Sequence, residues 1–242
     1  MNLLLLDADR VAPDGHATIT GAALEHVRTV LKKGVGDTLV AGVVDGKIGT
    51  ATIEAIGADE ARVRCTFDRD PPPPSPVTLV LALPRPPMLR RVLFSAASMG
   101  VKAIHLIATA RVEKSYWSTP SLQPDKIAEQ LRLGLAQAVD TTWPAVELHR
   151  RFRPFVEDVL SDVAGDGARL VADPVPGAAP LEPARGPVTV VIGPEGGLVP
   201  FERERLAAAG FSSVHLGPRI LRVETAVVAV LARLLALTPP GR

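Results

Sequence analysis

Val190-Val191-Ile192-Gly193-Pro194-Glu195-Gly196-Gly197-Leu198 is the stretch whose reading decides the fold. A short, wholly apolar run enters a glycine-rich loop, and a helix is predicted just beyond it, over Pro200–Ala209. A continuous apolar strand suits a parallel sheet covered on both faces. Glycines tolerate positive φ and let a ligand come close to the backbone. Loops at the carboxyl ends of parallel strands are where open α/β sheets bind their ligands. Glu202 falls in the predicted helix's first turn, where negative charge is favoured. Taken alone, the loop also fits an ordinary tight strand-to-helix turn.

The next junction downstream repeats the arrangement. A strand predicted over Val214–Leu216 leads into Leu216-Gly217-Pro218-Arg219-Ile220-Leu221-Arg222-Val223-Glu224-Thr225-Ala226, and an apolar helix is predicted over Val223–Leu237. Arg219 and Arg222 stand in a connection rather than on a helix face. Two loops from successive strands can converge on one pocket. Arg222 and Glu224 also fit a local ion pair near a helix start.

Upstream, strands and helices alternate, which is the α/β signature. Strands are predicted over Val77–Leu83, Ala103–Ala108, Arg169–Ala172 and Val188–Ile192. Helices are predicted over Met88–Met99, Pro124–Ala138 and Pro154–Val163, each with an apolar stripe at helical spacing. Before them lies Asp70-Pro71-Pro72-Pro73-Pro74-Ser75-Pro76. Consecutive prolines lock φ and lack N–H donors, so residues 71–76 read as an extended linker. Residues 1–70 then form a small β-rich unit and residues 77–242 the α/β unit. Strands are predicted at Leu3–Leu6, Thr38–Val44, Lys47–Ile56 and Arg62–Phe67. Asp45-Gly46 signals a type I′ hairpin turn. One helix interrupts these strands, capped by Thr20, stopped by Gly34, and carrying Leu24, Val27 and Leu31 on one face. A small β-barrel is the natural closure.

Composition narrows the function classes. Apolar residues make up 47% of the chain, enough for a sizeable core and against global disorder. The single Cys65 excludes an intrachain disulfide or a cysteine-based zinc site. His16, His26, His105, His149 and His215 show no metal spacing, so no metal is expected, and His105 reads as a core or rim residue of an apolar strand. No apolar run is long enough to span a bilayer. The apolar start has no basic region before it, so a cytoplasmic protein is expected. Net charge is only +1, so any nucleic-acid contact must rest on local clusters. Candidates are His26, Arg28, Lys32 and Lys33 in the first unit, and Arg111 and Lys114 in the second.

The two C-terminal junctions together resemble the SPOUT class of knotted methyltransferases. Within that class the chain resembles the RsmE family, which methylates N3 of a uridine in small-subunit ribosomal RNA. The resemblance implies a PUA-like β-barrel for RNA docking, then an α/β domain with a trefoil knot and a parallel sheet. It implies S-adenosylmethionine as cofactor, held by Leu170, Val171 and Ala172, by Ile192 through Leu198, by Leu216, Gly217, Arg219, Ile220 and Leu221, and by Thr225 and Ala226. It also implies a homodimer acting on ribosomal RNA or the small subunit, without metal or membrane. Arg222 and Glu224, beside the glycine loop, are the catalytic candidates. Ser98-Met99 and Thr141 depart from the family pattern. The alternatives are ribose 2′-O methylation of RNA and a non-catalytic RNA-binding role in ribosome assembly.

Overall fold

The computed structural model describes residues 2–235. It divides into two compact units, Met1–Pro73 with Leu131–Trp143, and Pro74–Gln130 with Pro144–Arg242. The segment Leu131–Trp143 thus joins the N-terminal unit although it lies far downstream in the chain.

The N-terminal unit is a mixed five-stranded sheet. Its strands are β1 (Leu4–Leu6), β2 (His16–Thr20), β3 (Thr38–Val43), β4 (Ile48–Ile56) and β5 (Glu60–Arg69), in the order β1-β3-β4-β5-β2. Only β1 and β3 pair in parallel. Strand β5 shows why the sheet has an inner face: Ala61, Val63 and Cys65 are buried while Arg62 and Arg64 between them are exposed. That alternation is the period of two of a half-buried strand. Burial pushes the Cys65 thiol up to about 11. A second cluster joins Leu3, Leu5 and Ile48 to Leu135. Thr141 is fully buried here, its hydroxyl donating to the Gly46 carbonyl.

Several local expectations are corrected. Of the Asp45-Gly46 pair only Asp45 is left-handed, at φ +55°, so the hairpin turn is not type I′. Asp45 is held instead by its neighbours: its N–H donates to the Thr141 carbonyl and its carboxylate accepts from the Trp143 N–H. Helix α1 (Gly21–Thr29) begins after Thr20, but the Thr20 side chain makes no capping bond. The helix stops well before Gly34. Lys32 turns left-handed at φ +53°, and Leu31 lies beyond the helix, exposed. Strand β2 was not foreseen.

The C-terminal unit is built on seven parallel strands: β6 (Val77–Ala82), β7 (Ala103–Ile107), β8 (Ala145–His149), β9 (Ala168–Ala172), β10 (Ala179–Pro180), β11 (Val188–Ile192) and β12 (Ser212–His215). Their order is β10-β12-β9-β11-β6-β7-β8. Every residue of β11 is buried, as a central parallel strand covered on both faces requires. Helix α2 (Pro86–Ser98) buries Leu89, Val92, Leu93, Ala96 and Ala97 and lies against α7 (Val223–Leu234). The predicted residues 236 and 237 of that last helix fall outside the described residues. Helix α3 (Pro124–Ala138) has the expected bounds. The helix predicted over Pro154–Val163 is broken into α4 (Phe152–Pro154), a π turn over Phe155–Val159, and α5 (Leu160–Ala164). Strands β8 and β10 were not foreseen. No helix among the described residues is long and apolar enough to cross a membrane.

Candidate active site

Strands β9, β11 and β12 are neighbours, and their carboxyl ends open on one side of the sheet. A cavity of about 260 Å³ lies there, lined by residues 172–174, 192–198, 214–217 and 219–221, with Val223, Ala226 and Val230 of α7. This is just under the usual span of small-molecule sites, about 300 Å³ upward. The two junctions read from the sequence therefore meet.

The glycine loop is held in shape from behind. Helix α6 (Pro200–Ala208) begins after it, and the Glu202 carboxylate, 2% exposed, turns back from the first turn. One oxygen accepts from the Val199 N–H at 2.9 Å and the other from the Ala110 N–H at 2.6 Å. The Arg111 guanidinium donates to the Gly196 carbonyl. A Cβ at residue 196 would lie 3.0 Å from the Arg111 side chain, so a larger residue there would have to displace that arginine. Gly197 is left-handed at φ +72°, and Gly217 on the opposite wall at φ +109°. Asp173, buried at the end of β9, pairs with Arg203 of α6 at 2.6 Å.

The opposite wall is barely anchored. Pro218 through Arg222 are all exposed, Ile220 by 91%. The Gly217 N–H donates to His215 Nδ1 at 3.0 Å. A second, charged cavity adjoins the first, lined by Arg85, Glu195, Arg222 and Glu224 with Pro87 and Met88. Glu195 borders both cavities, and its carboxylate accepts from the Arg85 N–H at 3.4 Å.

The mixture of apolar walls and loop backbone groups suits a nucleoside-sized ligand with a polar tail. Comparison with known proteins gives the cavity a context. A family model described as an RNA methyltransferase domain matches residues 71–235. A ribosomal RNA small subunit methyltransferase E of Treponema pallidum (strain Nichols) is 32% identical over 98% of this chain and 91% of its own length. This chain belongs to the ribosomal RNA small subunit methyltransferase E family. The Synechocystis relative of the same name is 30% identical, over 91% of this chain and 73% of its own. The crystal structure of the Neisseria gonorrhoeae methyltransferase E bound to S-adenosyl methionine matches with a TM-score of 0.74. That match covers 96% of this chain and 95% of the other at 21% identity, and it bears on the fold.

Within this methyltransferase E family member, the expected cofactor residues divide. Ala172, Ile192 through Leu198, Leu216, Gly217, Arg219, Ile220, Leu221 and Ala226 line the first cavity. Leu170 and Val171 lie within β9, and Thr225 stands exposed on α7; these three are not on the cavity wall. Arg222 and Glu224 come together at the charged cavity, but they form no ion pair with each other among the described residues. Arg111 sits behind the glycine loop, while Lys114 opens an exposed 3-10 turn. In the N-terminal unit, Arg28 donates to the Ala58 carbonyl at 2.8 Å, Lys32 is exposed, and His26 and Lys33 are half-buried.

Sequence reading missed Arg85 as a partner of Glu195, and missed the bracing role of Glu202. Glu202 had a visible signal in its first-turn position, but nothing local shows that its second oxygen reaches Ala110. Arg85 follows the end of β6 in a proline-rich junction, Leu83-Pro84-Arg85-Pro86-Pro87, which marks a loop and names no partner.

Proposed function

We propose that this protein transfers a methyl group from S-adenosylmethionine to N3 of a uridine in small-subunit ribosomal RNA. The observation that carries this reading is the cavity formed where the glycine loop and the arginine loop converge beside a charged cleft. When bound, the cofactor supplies an electrophilic methyl group. The chain's own task is placement, since aligning a nucleophile with such a group supplies much of the rate.

Residues 192–198 and 216–221 would hold the cofactor largely through backbone groups, with Asp173 and Glu195 adding acidic side chains on the wall. Arg222 steadies the negative charge that develops on the uracil ring. Glu224 is half-buried and faces the same cleft without pairing to Arg222, so its carboxylate is free to accept the N3 proton. The target base must leave its stack to enter such a cleft.

The N-terminal unit docks RNA in this reading, with His26, Arg28, Lys32 and Lys33 as contacts, and the C-terminal unit, Pro74–Gln130 with Pro144–Arg242, is the catalytic part. Neutralising those four side chains weakens RNA binding and flattens its salt dependence. The PUA-like form of the first sheet and the trefoil knot belong to the same proposal. The non-sequential order β12-β9-β11 supports a backbone crossing of the kind a knot needs. A homodimer belongs to the same proposal, supported by Leu216, Ile220 and Leu221, which present exposed apolar surface at the cavity. A ribosomal RNA substrate supports a cytoplasmic location in this reading.

The test is methylation of small ribosomal subunits or their RNA with labelled cofactor, followed by nucleoside mass mapping. The expected product is 3-methyluridine, formed about 100-fold more slowly by Arg222→Ala. A ribose-methylated product, or none, would overturn the assignment.

A further inference from the structure

We propose that His105, Glu147 and His149 form a binding site for a divalent first-row transition metal, zinc above all. The three lie in the C-terminal unit on β7 and β8, at the edge of the parallel sheet. His105 pairs directly with Glu147 across the two strands, and Ile107 with His149. Glu147 and His149 are two apart on one strand, so their side chains leave the same face, the face shared with His105. The backbone alone therefore gathers two imidazoles and a carboxylate.

The donor atoms form a single compact triangle. His105 Nδ1 lies 3.1 Å from His149 Nε2. Glu147 Oε2 lies 3.7 Å from that His105 nitrogen and 3.5 Å from that His149 nitrogen. Zinc holds nitrogen and oxygen ligands at about 2.0–2.1 Å, which in a tetrahedron sets donor atoms about 3.4 Å apart. The three observed separations bracket that value, and the same atom of each residue serves in both of its contacts. Two imidazoles and one carboxylate are a known zinc ligand set that leaves a fourth position for water or another group. They also match the borderline preferences of zinc over harder ions such as magnesium.

The surroundings favour a fixed site. His105 is buried, and the Phe155 ring stands 4.4 Å from the His149 ring, limiting its rotation. Glu147 is exposed over 58% of its side chain, leaving an entry path from solvent. A bound ion would tie the edge strand β8 to β7. Sequence spacing hides the site because the two histidines are 44 residues apart.

The experiment is calorimetric titration of the chelator-treated full-length protein with zinc chloride alone, repeated on Glu147→Gln, His149→Gln and a His16→Gln control. Cobalt(II) substitution, read by visible absorption, reports coordination geometry. One zinc per chain is expected, with tetrahedral-type cobalt bands. Losing even an outer partner of a metal ligand costs about tenfold in affinity, so each ligand variant should bind at least about tenfold more weakly. The control should match the parent. Because Glu147 is exposed, Glu147→Gln keeps the fold even if His149→Gln does not. Absence of stoichiometric zinc in the parent, or equal binding by parent and Glu147→Gln, would overturn the site and leave a hydrogen-bonded His–His–Glu trio.

Discussion

The two walls of the cavity at the carboxyl ends of β9, β11 and β12 differ in how they are held. The glycine wall, residues 193–198, is fixed from behind by the buried Glu202 carboxylate and by Arg111 on the Gly196 carbonyl. The arginine wall, residues 217–222, is exposed through its last five residues and anchored at its base by the Gly217–His215 bond. One wall is preorganised for a small ligand. The other presents exposed charged and apolar side chains to solvent. Changes to the first should therefore be felt in stability and cofactor affinity, and changes to the second in turnover and assembly.

Glu202→Ala would break this contrast most severely. It removes the acceptor of the Ala110 and Val199 N–H groups, which are part-buried and partly able to turn to water, so a loss of about 1–2 kcal/mol is expected by urea unfolding. A parental midpoint would mean the glycine wall stands without its brace. Arg222→Ala sharpens the other side. Turnover should fall about 100-fold, as when one charge-stabilising donor is removed, while stability shifts by less than about 0.5 kcal/mol, as for most exposed positions. Single-turnover methylation and thermal denaturation on one sample decide it, and equal losses in both would erase the distinction.

Gly197→Ala is a smaller probe. The nearest atoms to a new Cβ are 3.8 and 3.9 Å away, so the cost comes from the backbone alone. A left-handed alanine costs about 1 kcal/mol, expected as roughly fivefold weaker cofactor binding by calorimetry. Unchanged affinity would show that the loop adapts. Ile220→Ser should leave folding stability within about 0.5 kcal/mol and instead weaken self-association in sedimentation. A monomer–dimer balance identical to the parent would remove Ile220 from any interface.

What was legible in the sequence follows from the range of the interactions. Both walls of the cavity lie in two contiguous junctions, so Gly193–Leu198 and Leu216–Leu221 could be read directly. Arg85 could not, because it meets Glu195 from 110 residues away. Strand β8 escaped because it is short: Val146-Glu147-Leu148-His149 alternates apolar and polar residues, but over only about four positions, the lower limit for reading a strand. The alternative reading of Arg222 and Glu224 as a local ion pair has no counterpart among the described residues, since spacing of two residues at a helix start does not fix where long side chains point. Thr141 departs from the family pattern, and its buried hydroxyl on Gly46 shows a role in the N-terminal core that no local motif announces.

The late segment Leu131–Trp143 carries a practical consequence. It gives the N-terminal unit Leu135 for its inner cluster, and Asn2 and Leu3 both donate to the Ala136 carbonyl. Cutting the gene at the proline run would therefore not release an autonomous fragment. Residues 1–73 expressed alone would lack a hydrophobic plug and the partner of their own amino terminus. A minimal version of the N-terminal unit must carry residues 131–143 back by a designed splice.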